Sequence, residues 1–480
     1  MKWMSRRRFL AASAMAAFGS AVGANHPGAS SGERSSPDAN GVRTSSRTGD
    51  RSSTGTATVP WRNWSGGLVC QPAGRFSPGS EDELASFLAA RQRPVRPVGS
   101  GHSFSPLVPT DGHLIVLDRL TGVLEHDRAA LTATIAAGSR LGDLGAPLDA
   151  VGQAMFILPD IDRQTVAGAI ATATHGTGLE FTCLSGYVKR LRLVTPVGEV
   201  VDVDASATPE LFGAARVCLG ALGVVTRVTL QNRTPYRLRA RNWVEPTEDV
   251  LARFDEAAAR HRHFEMFPLT HSDYALVLAI DETDAPIHHP PVTPEEDAAF
   301  ADAMAAWAAV PPRERLPLVN ETARQIEPSE AVDASYRILS NIRNHRFNEM
   351  EYSVPIEAGA ACLREVLRTI IDEEVDVVFP LEYRYVRRDD TWLGMSSGDE
   401  DHAAISIHRM ASEDHRPYFD LIEPIFWKYG GRPHWGKLHS LGAAELSKLY
   451  PRFADFQALR ARLDPEGRML NEHLRRIFIS

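Results

Sequence analysis

A short loop that places a histidine among glycines and serines could hold an anion. Residues 98–103 read VGSGHS and follow the strand-like residues RPV. Glycine lets the backbone approach a bulky group or adopt positive φ, and a Gly/Ser loop after a strand can aim backbone N–H groups at a phosphate. An ordinary turn is the alternative, because a lone glycine-rich motif is weak support for a site. The candidate ligand-binding residues are Val98, Gly99, Ser100, Gly101, His102 and Ser103.

Two further stretches could pass close to the same extended ligand. Residues 166–178 read VAGAIATATHGTG and are almost all small, Gly168 and Thr172 among them. Residues 222–230 read LGVVTRVTL and place Val225 on a predicted strand just after a glycine. Together with the histidine loop, these stretches indicate one binding site that is formed by three segments of the chain.

A second group of reactive side chains lies later in the chain. Glu382 and Arg384 are two residues apart in FPLEYRYV, a predicted strand, so period 2 puts both side chains on one face. Lys437 lies in RPHWGKLHS between His434 and His439. From these residues alone, a surface ion pair on a strand is the simpler interpretation, because such pairs are common and contribute little.

The 17 histidines make a metal-dependent hydrolase a further alternative. The candidate ligands would be His402, His408, His434 and His439. His434 and His439 are five residues apart, however, and the chain contains no His-Glu-x-x-His motif. We therefore predict no metal site.

The elements that must position these residues are short and mixed. Ser80 and Glu83 form a predicted capping box that begins the helix SEDELASFLAARQ, and RLRLVTPVGEVVDV reads as a hairpin. Strands and helices do not alternate strictly, which favours an α+β fold over a doubly wound sheet. The composition changes after about Pro235, so we place one domain at 59–234, a second at 235–446 and a C-terminal segment at 447–480.

Composition limits the classes of partner. With 480 residues the chain is long enough for two domains. Its net charge of −9 argues against nucleic acid, because there is no basic excess to neutralise phosphates. Four widely spaced cysteines are neither a disulfide scaffold nor a zinc cluster, although one disulfide is possible in an exported protein.

The N-terminus has the pattern of an export signal. Arg6, Arg7 and Arg8 precede a short apolar run that ends near Ala24 and is too short for a membrane span. The string SRRRFL resembles the twin-arginine signal, and a basic amphipathic anchor is the alternative. We expect residues 1–24 to be a signal peptide, 25–58 a disordered linker, and the mature protein to be periplasmic or extracellular without an integral membrane segment.

The chain resembles the FAD-binding half of the vanillyl-alcohol oxidase superfamily, and more closely the aldonolactone oxidase family, which includes gulonolactone, arabinonolactone and alditol oxidases. The matching stretches are VGSGHSFSPLVPTDG, LPDIDRQTVAGAIATATHGTG, LGVVTRVTL, HWGKLH and DPEGRMLN. The resemblance implies a two-part FAD-binding domain, built from 59–234 and 447–480, with an α+β substrate domain inserted at 235–446.

The same resemblance implies roles for the three binding stretches. Residues 98–103 would wrap the FAD pyrophosphate, and a neutral His102 would attack the 8-methyl position of the flavin to form a covalent link. Noncovalent FAD with His102 packed on the ring is the alternative. Gly168 and Thr172 would lie against the flavin and ribose, and the backbone of Val225 near the adenine. His175 fits a structural role better than a catalytic one.

The resemblance also implies that Glu382, Arg384 and Lys437 face the flavin as catalytic residues. A cation at Lys437 would stabilise charge on the flavin as it accepts a hydride. Arg384 would hold a substrate oxygen with its planar donor fork, and Glu382 would accept a hydroxyl hydrogen. The general base stays open between Glu382, His434 and His439.

The implied reaction is oxidation of an aldono-1,4-lactone or alditol, with O2 as the acceptor and H2O2 as the product. Pro159 in LPDID matches a gate position at which a small residue or proline goes with oxygen access. The alternatives are a dehydrogenase of the same fold that uses another acceptor or alcohol, a flavoprotein without catalysis, and the metal-dependent hydrolase.

Overall fold

The computed structural model describes most of the chain after the predicted linker. The described residues are 59–90, 94–288, 290, 294–340 and 345–479. The predicted signal peptide and linker, residues 1–58, lie outside this part.

The strands of the described residues carry much of the candidate site. They are β1 (Trp61–Arg62), β2 (Val69–Cys70), β3 (Gly74–Phe76), β4 (Val95–Val98), β5 (His113–Val116), β6 (Val123–Asp127), β7 (Thr132–Ala136), β8 (Val188–Val194), β9 (Val200–Asp204), β10 (Val224–Gln231), β11 (Arg237–Pro246), β12 (His263–Pro268), β13 (Tyr274–Glu282), β14 (Ser329–Ala334), β15 (Phe347–Pro355), β16 (Glu382–Val386), β17 (His402–Met410) and β18 (Arg432–Pro433).

The α-helices are mostly short. They are α1 (Glu81–Ala89), α2 (Gly145–Ala150), α3 (Val166–Ala171), α4 (Pro209–Ala215), α5 (Thr247–Ala252), α6 (Phe254–Arg260), α7 (Pro294–Ala308), α8 (Arg315–Ala323), α9 (Ser335–Ile338), α10 (Ile356–Asp372), α11 (Arg416–Lys428), α12 (Ala443–Leu449), α13 (Phe453–Leu463) and α14 (Glu472–Phe478). Single 3₁₀ turns cover Leu141–Asp143, Leu184–Tyr187 and Pro312–Glu314.

The strands form three larger sheets and one two-stranded ribbon, β1-β2. A parallel sheet has the order β3-β5-β4, and an antiparallel sheet the order β6-β7-β10-β8-β9. The largest sheet is antiparallel, in the order β14-β11-β13-β12-β16-β17-β15-β18. Antiparallel sheets with interspersed short helices confirm the predicted α+β class.

The first half of the chain forms the two smaller sheets, and we call it the flavin half. The predicted helix after Ser80 is α1, with Ser80 Oγ accepting a hydrogen bond from Glu83 N at 3.1 Å. Leu84 and Leu88 on its inner face are buried, as the apolar spacing predicts. The predicted hairpin is the antiparallel pair β8 and β9.

The C-terminal residues lie against the flavin half. The backbone N–H of Val95, at the start of β4, donates to the carbonyl of Arg468 at 2.8 Å. The amide of Asn471 donates to the carbonyls of Pro106 and Pro109 at 2.8 and 2.9 Å. The segment after the large sheet therefore supports the loop that follows β4.

The large sheet presents two different faces. Tyr383, on one face, packs against α10, where a Cβ on Gly359 would lie 2.6 Å from its hydroxyl. Neighbouring residues of a strand point to the opposite face, so Glu382 and Arg384 point away from α10. We call this second face the polar face.

The strand register brings further ionisable side chains to the polar face. Ser406 stands opposite both Glu382 and Glu351, and residues directly opposite each other share a face. By the same rule, the polar face of the adjacent strands β12, β16, β17 and β15 carries a set of mostly ionisable side chains. They are Glu265, Glu349, Glu351, Glu382, Arg384, Ser406 and His408.

Two further observations bear on the sequence analysis. The four cysteines are unpaired thiols, and all but Cys70 are buried. Among the described helices, none has the length and apolar character needed to cross a membrane.

Candidate functional site

A cavity lies mainly in the flavin half, and residues of the loop after β18 complete its wall. Its volume, measured as the space that the centre of a water molecule can occupy, is about 240 Å³. Its walls include residues of the loop after β4, of β5, of α3 and of the segment before β10. The cavity therefore joins the three stretches that the sequence analysis grouped into one site.

The loop after β4 passes very close to the start of α3. A Cβ on Gly99 would lie 2.2 Å from the hydroxyl oxygen of Thr165, closer than any real contact. That hydroxyl caps α3 by accepting a hydrogen bond from Gly168 N at 3.2 Å. Gly101 has a φ of +71°, which favours glycine. Glycine at position 99 lets the loop lie against the helix terminus, and glycine at position 101 permits the positive φ of the loop.

Arg96, in β4, forms the back of the cavity and is almost fully buried. Its guanidinium donates to four backbone carbonyls, those of Leu107, Leu219, Gly220 and Met469. No carboxylate lies within ion-pair distance of it among the described residues. Burial lowers the pKa of Arg96 to about 9, so the side chain is still charged at neutral pH.

An anionic dinucleotide fits this cavity. Arg96 forms no ion pair with a carboxylate among the described residues, although Asp464 acts on it from a greater distance. The hydroxyl of Ser100 is buried with no hydrogen-bond partner in the described structure. A buried hydroxyl without a partner is costly, and a phosphate oxygen would provide one. The close approach at Gly99 and the N-terminus of α3 supply further backbone N–H groups.

His102 lies in the wall of the cavity and stacks on Trp64, with ring centroids 5.4 Å apart. Burial lowers the pKa of His102 to about 4, and the charges of Lys437, Arg140 and Arg163 act in the same direction. The imidazole is therefore neutral at neutral pH, which is the form that can act as a nucleophile.

Lys437 reaches the same cavity from the loop after β18. The ammonium group forms an ion pair with Glu349 and lies 5.3 Å from the centroid of the Phe104 ring. Nε2 of His408 is 3.7 Å from the other Glu349 oxygen. Burial alone would raise the pKa of Glu349, but Lys437 and His408 bring it below its ordinary range.

Glu382 and Arg384 form a buried pair on the polar face. Nη1 of Arg384 is 2.9 Å from Glu382 Oε1 and 3.6 Å from Asp160 Oδ2. Burial raises the pKa of Glu382 well above its ordinary value; Arg384 opposes this, whereas Asp160, Glu265 and Glu349 add to it. A surface ion pair, the simpler interpretation from sequence, is wrong, because both side chains are buried.

Glu351 connects the polar face to the flavin half. Its Oε1 lies 2.7 Å from Nε2 of His175, which belongs to the small-residue stretch. Its Oε2 accepts hydrogen bonds from Arg384 Nη2 at 3.1 Å and from Ser406 Oγ at 2.9 Å. One carboxylate thus contacts three separate segments.

The two other histidines considered as bases differ in position. His434 lines the cavity, and its Nδ1 accepts a hydrogen bond from Gly436 N at 3.0 Å, so the neutral ring carries its proton on Nε2. Burial lowers the pKa of His434 to about 3. His439 lies instead in a separate surface pocket with His473. The hydrogen bond from Gly436 occupies the free ring nitrogen of His434, and His439 lies away from the cavity, so neither histidine offers a free acceptor to it.

The predicted site residues fall into two groups. Pro159 does not contribute to the cavity wall, and its carbonyl accepts a hydrogen bond from Ser340 Oγ at 2.7 Å. Glu382 and Arg384 lie behind the wall, linked to it through Glu349 and Lys437. The predicted residues that line the cavity are Val98, Gly99, Ser100, Gly101, His102, Ser103, Gly168, Thr172, Val225 and Lys437.

Sequence analysis missed several residues of this cluster. Glu349 and Glu351 alternate in FNEMEYS, the same signal that identified Glu382 and Arg384. Arg96 gave no comparable signal, because an arginine in a strand is ordinary until its partners are known.

Three trios of side chains have donor atoms within 4.8 Å of one another. They are His175, Glu351 and His434; Glu349, Glu382 and His408; and Asp160, Glu265 and Glu382. Arg384 or Lys437 pairs with a carboxylate of each trio. These cations already balance the carboxylates, which disfavours a metal ion and the hydrolase alternative.

Comparison with known proteins gives two family matches along the chain. Residues 72–204 match the FAD binding domain, and residues 228–477 match D-arabinono-1,4-lactone oxidase. The chain belongs to the D-arabinono-1,4-lactone oxidase family. It is an FAD-dependent oxidoreductase, so the expected cofactor is confirmed.

Individual proteins agree with this assignment. The chain is 35% identical to L-gulono-1,4-lactone dehydrogenase of Mycobacterium tuberculosis, over 87% of this chain and 98% of that protein. It is 29% identical to L-gulonolactone oxidase of Scyliorhinus torazame (88% and 99% covered) and 29% identical to alditol oxidase of a Streptomyces species (86% and 97% covered).

A solved structure supports the fold. Cholesterol oxidase from B. sterolicum superposes with a TM-score of 0.71 at 15% identity, over 87% of this chain and 96% of that one. The expected two-part FAD fold of the vanillyl-alcohol oxidase type is confirmed.

We predict that Gly99→Ala will lower FAD content and the thermal midpoint. The new Cβ would displace Thr165 and remove the cap of α3, an overpacking cost of about 1–3 kcal/mol. FAD per chain and the melting temperature are the measurements. Gly67→Ala is the matched control, because its Cβ would meet nothing closer than 3.6 Å. Full FAD content and an unchanged midpoint in Gly99→Ala would show that the loop does not need this close approach.

Proposed function

We propose that the protein oxidises a secondary or primary alcohol of a sugar-derived substrate, an aldono-1,4-lactone or an alditol, and passes the electrons to O2. The observation that carries this proposal is the continuous cluster from the cavity wall to the polar face. Lys437 lines the cavity and pairs with Glu349, whose carboxylate lies within 4.8 Å of Glu382. The names of the relatives support the substrate class.

Glu382 and Arg384 have complementary roles in this proposal. The guanidinium of Arg384 offers parallel N–H donors to a hydroxyl or lactone oxygen. The carboxylate of Glu382, with its raised pKa, is a stronger base than an exposed glutamate and accepts the hydroxyl proton. Their pairing at 2.9 Å keeps both groups on one side of the substrate.

The cofactor supplies the redox chemistry and the chain supplies the charge around it. When bound, FAD would supply the acceptor for the hydride that is removed from the substrate carbon. Lys437 places a positive charge in the wall of the cavity, and Glu349 holds its ammonium group there. A preorganised charge of this kind stabilises negative charge that develops during the reaction.

The electron acceptor has two candidates. Relatives carry both kinds of name, oxidase and dehydrogenase. The match of Pro159 to a gate position favours O2, and hence H2O2 as the product. A dehydrogenase that uses another acceptor is the second candidate, since Pro159 itself is outside the cavity wall.

An activity assay tests this function directly. We expect D-arabinono-1,4-lactone, L-gulono-1,4-lactone or xylitol to bleach the flavin in the absence of oxygen. Glu382→Gln should slow this bleaching by about 10²- to 10⁴-fold, because it removes the proposed base. Admission of air should restore the colour with formation of H2O2. If no sugar-derived alcohol bleaches the flavin, the proposed substrate class is wrong. If only a dye restores the colour, the protein is a dehydrogenase.

Lys437→Ala should slow flavin reduction by about 10²- to 10³-fold, the scale for one preorganised charge-stabilising group. Substrate affinity should change less, because the charge is needed in the transition state. Lys428→Ala is the control, since Lys428 pairs with Glu365 at the exposed side of α11. Wild-type reduction rates at saturating substrate in Lys437→Ala would remove the lysine from the mechanism.

We also propose that His102 carries the flavin covalently, supported by its neutral ring in the cavity wall. Acid precipitation should leave the flavin in the pellet, fluorescent on a denaturing gel, and His102→Ala should release it to the supernatant. Flavin that leaves wild-type protein entirely on acid treatment would exclude the link while leaving FAD binding intact.

Export through the twin-arginine route is a further proposal, and it is supported by the sequence alone. Replacing Arg6 and Arg7 with lysine should retain folded, FAD-containing protein in the cytoplasm. Cell fractionation with an activity or flavin readout measures this. Unimpaired secretion of the double variant would refute the twin-arginine assignment.

A further inference from the structure

The contact between Glu351 and His175 joins the large sheet to the flavin half. Both side chains are almost fully buried, at 1% and 2% exposure. Glu351 also holds Arg384 through Nη2, while Asp160 approaches Nη1 of the same guanidinium from the flavin half. Arg384 therefore has anionic partners on both sides of the boundary.

The hydrogen bonds of His175 require a second proton on its ring or on its partner. Nδ1 lies 2.9 Å from the carbonyl oxygen of Gly176, which can only accept, so Nδ1 carries a proton. Nε2 lies 2.7 Å from a carboxylate oxygen of Glu351. A neutral ring would turn a lone pair toward that carboxylate, so one further proton must lie between the two atoms.

The groups around Glu351 favour its ionised form. Burial alone would raise the pKa of Glu351, but His175, His434 and Arg384 bring it well below its ordinary value. Glu351 is therefore a carboxylate, and its other oxygen accepts hydrogen bonds from Arg384 and Ser406. The other titratable or charged groups around this pair are Glu382, Glu349, His434 and Lys437.

We propose that Glu351 is a positioning residue, which together with a protonated His175 holds the Arg384 guanidinium between the large sheet and the flavin half. This role rests on the proposed function, in which Arg384 binds the substrate oxygen. With two cationic partners, Glu351 remains charged in a buried site. Removal of Glu351, or of His175 that supports it, would leave Arg384 free to turn toward Glu382 or Asp160.

The protonation state is tested first, without any substrate. In holoenzyme with ¹⁵N-labelled histidine, the ring of His175, assigned with His175→Gln, should show two protonated nitrogens at neutral pH. Glu351→Gln should convert it to a singly protonated ring. A singly protonated His175 in the wild type would overturn the proposal, whatever the substrate of the enzyme proves to be.

Kinetics then separate positioning from support of the fold. Glu351→Gln should raise KM by about 10- to 100-fold, the loss of one charge-assisted buried hydrogen bond, with a smaller change in kcat. Glu351→Gln/His175→Gln should be no worse than the single variant, since the two act as a unit. An unchanged KM in FAD-loaded Glu351→Gln would overturn the proposal.

Glu423→Gln is the matched control for burial. Glu423 is 2% exposed and accepts hydrogen bonds from Tyr352 and Ser440, away from the cluster. It should lower stability without changing KM. If Glu351→Gln does not fold, His175→Gln tests the same contact from the flavin half, and a wild-type KM there would overturn the proposal. Wild-type protein that turns over no sugar-derived alcohol would instead contradict the proposed function.

Discussion

The need to balance buried charge governs the contact between the two halves of this protein. The polar face of the large sheet carries four glutamates, and none of them is exposed to solvent to an appreciable degree. Isolated buried charges are very costly, so each carboxylate depends on a cation within reach. Arg384 belongs to the sheet itself, but Lys437 comes from a loop that lies over it, and His175 contacts Glu351 from another such loop. The sheet is stable in this form only when those loops cover it.

In the flavin half the buried charge is positive rather than negative. Arg96 is a buried cation whose partners are carbonyl dipoles rather than carboxylates. Carbonyl oxygens satisfy the N–H donors of the guanidinium but do not cancel its charge, so the positive potential extends into the cavity. Asp464 raises the pKa of Arg96 but forms no ion pair with it, so it offsets that potential only in part. The same reasoning explains why the cavity suits an anionic cofactor although the chain as a whole has a net charge of −9.

Local patterns in the sequence predicted the parts of the site that depend on local geometry. The glycines of VGSGHS and the alternation of Glu382 with Arg384 are of this kind. The neighbours of Glu382 could not be predicted in the same way, because Glu265 and Glu351 reach it through pairing of strands that are distant in sequence. Without the strand order, a buried cluster and a surface ion pair look the same. The resemblance to a family supplied the missing long-range information for Lys437.

The partners of Arg96 have a consequence for the order of events during synthesis. One of its four carbonyls belongs to Met469, and Asn471 braces the loop that follows the FAD-binding residues. A nascent chain has neither contact until its synthesis has passed Asn471, which follows all strands of the large sheet. The wall of the cavity is therefore completed only after translation of the large sheet, because the hydrogen bond from Arg96 to Met469 joins residues 373 positions apart.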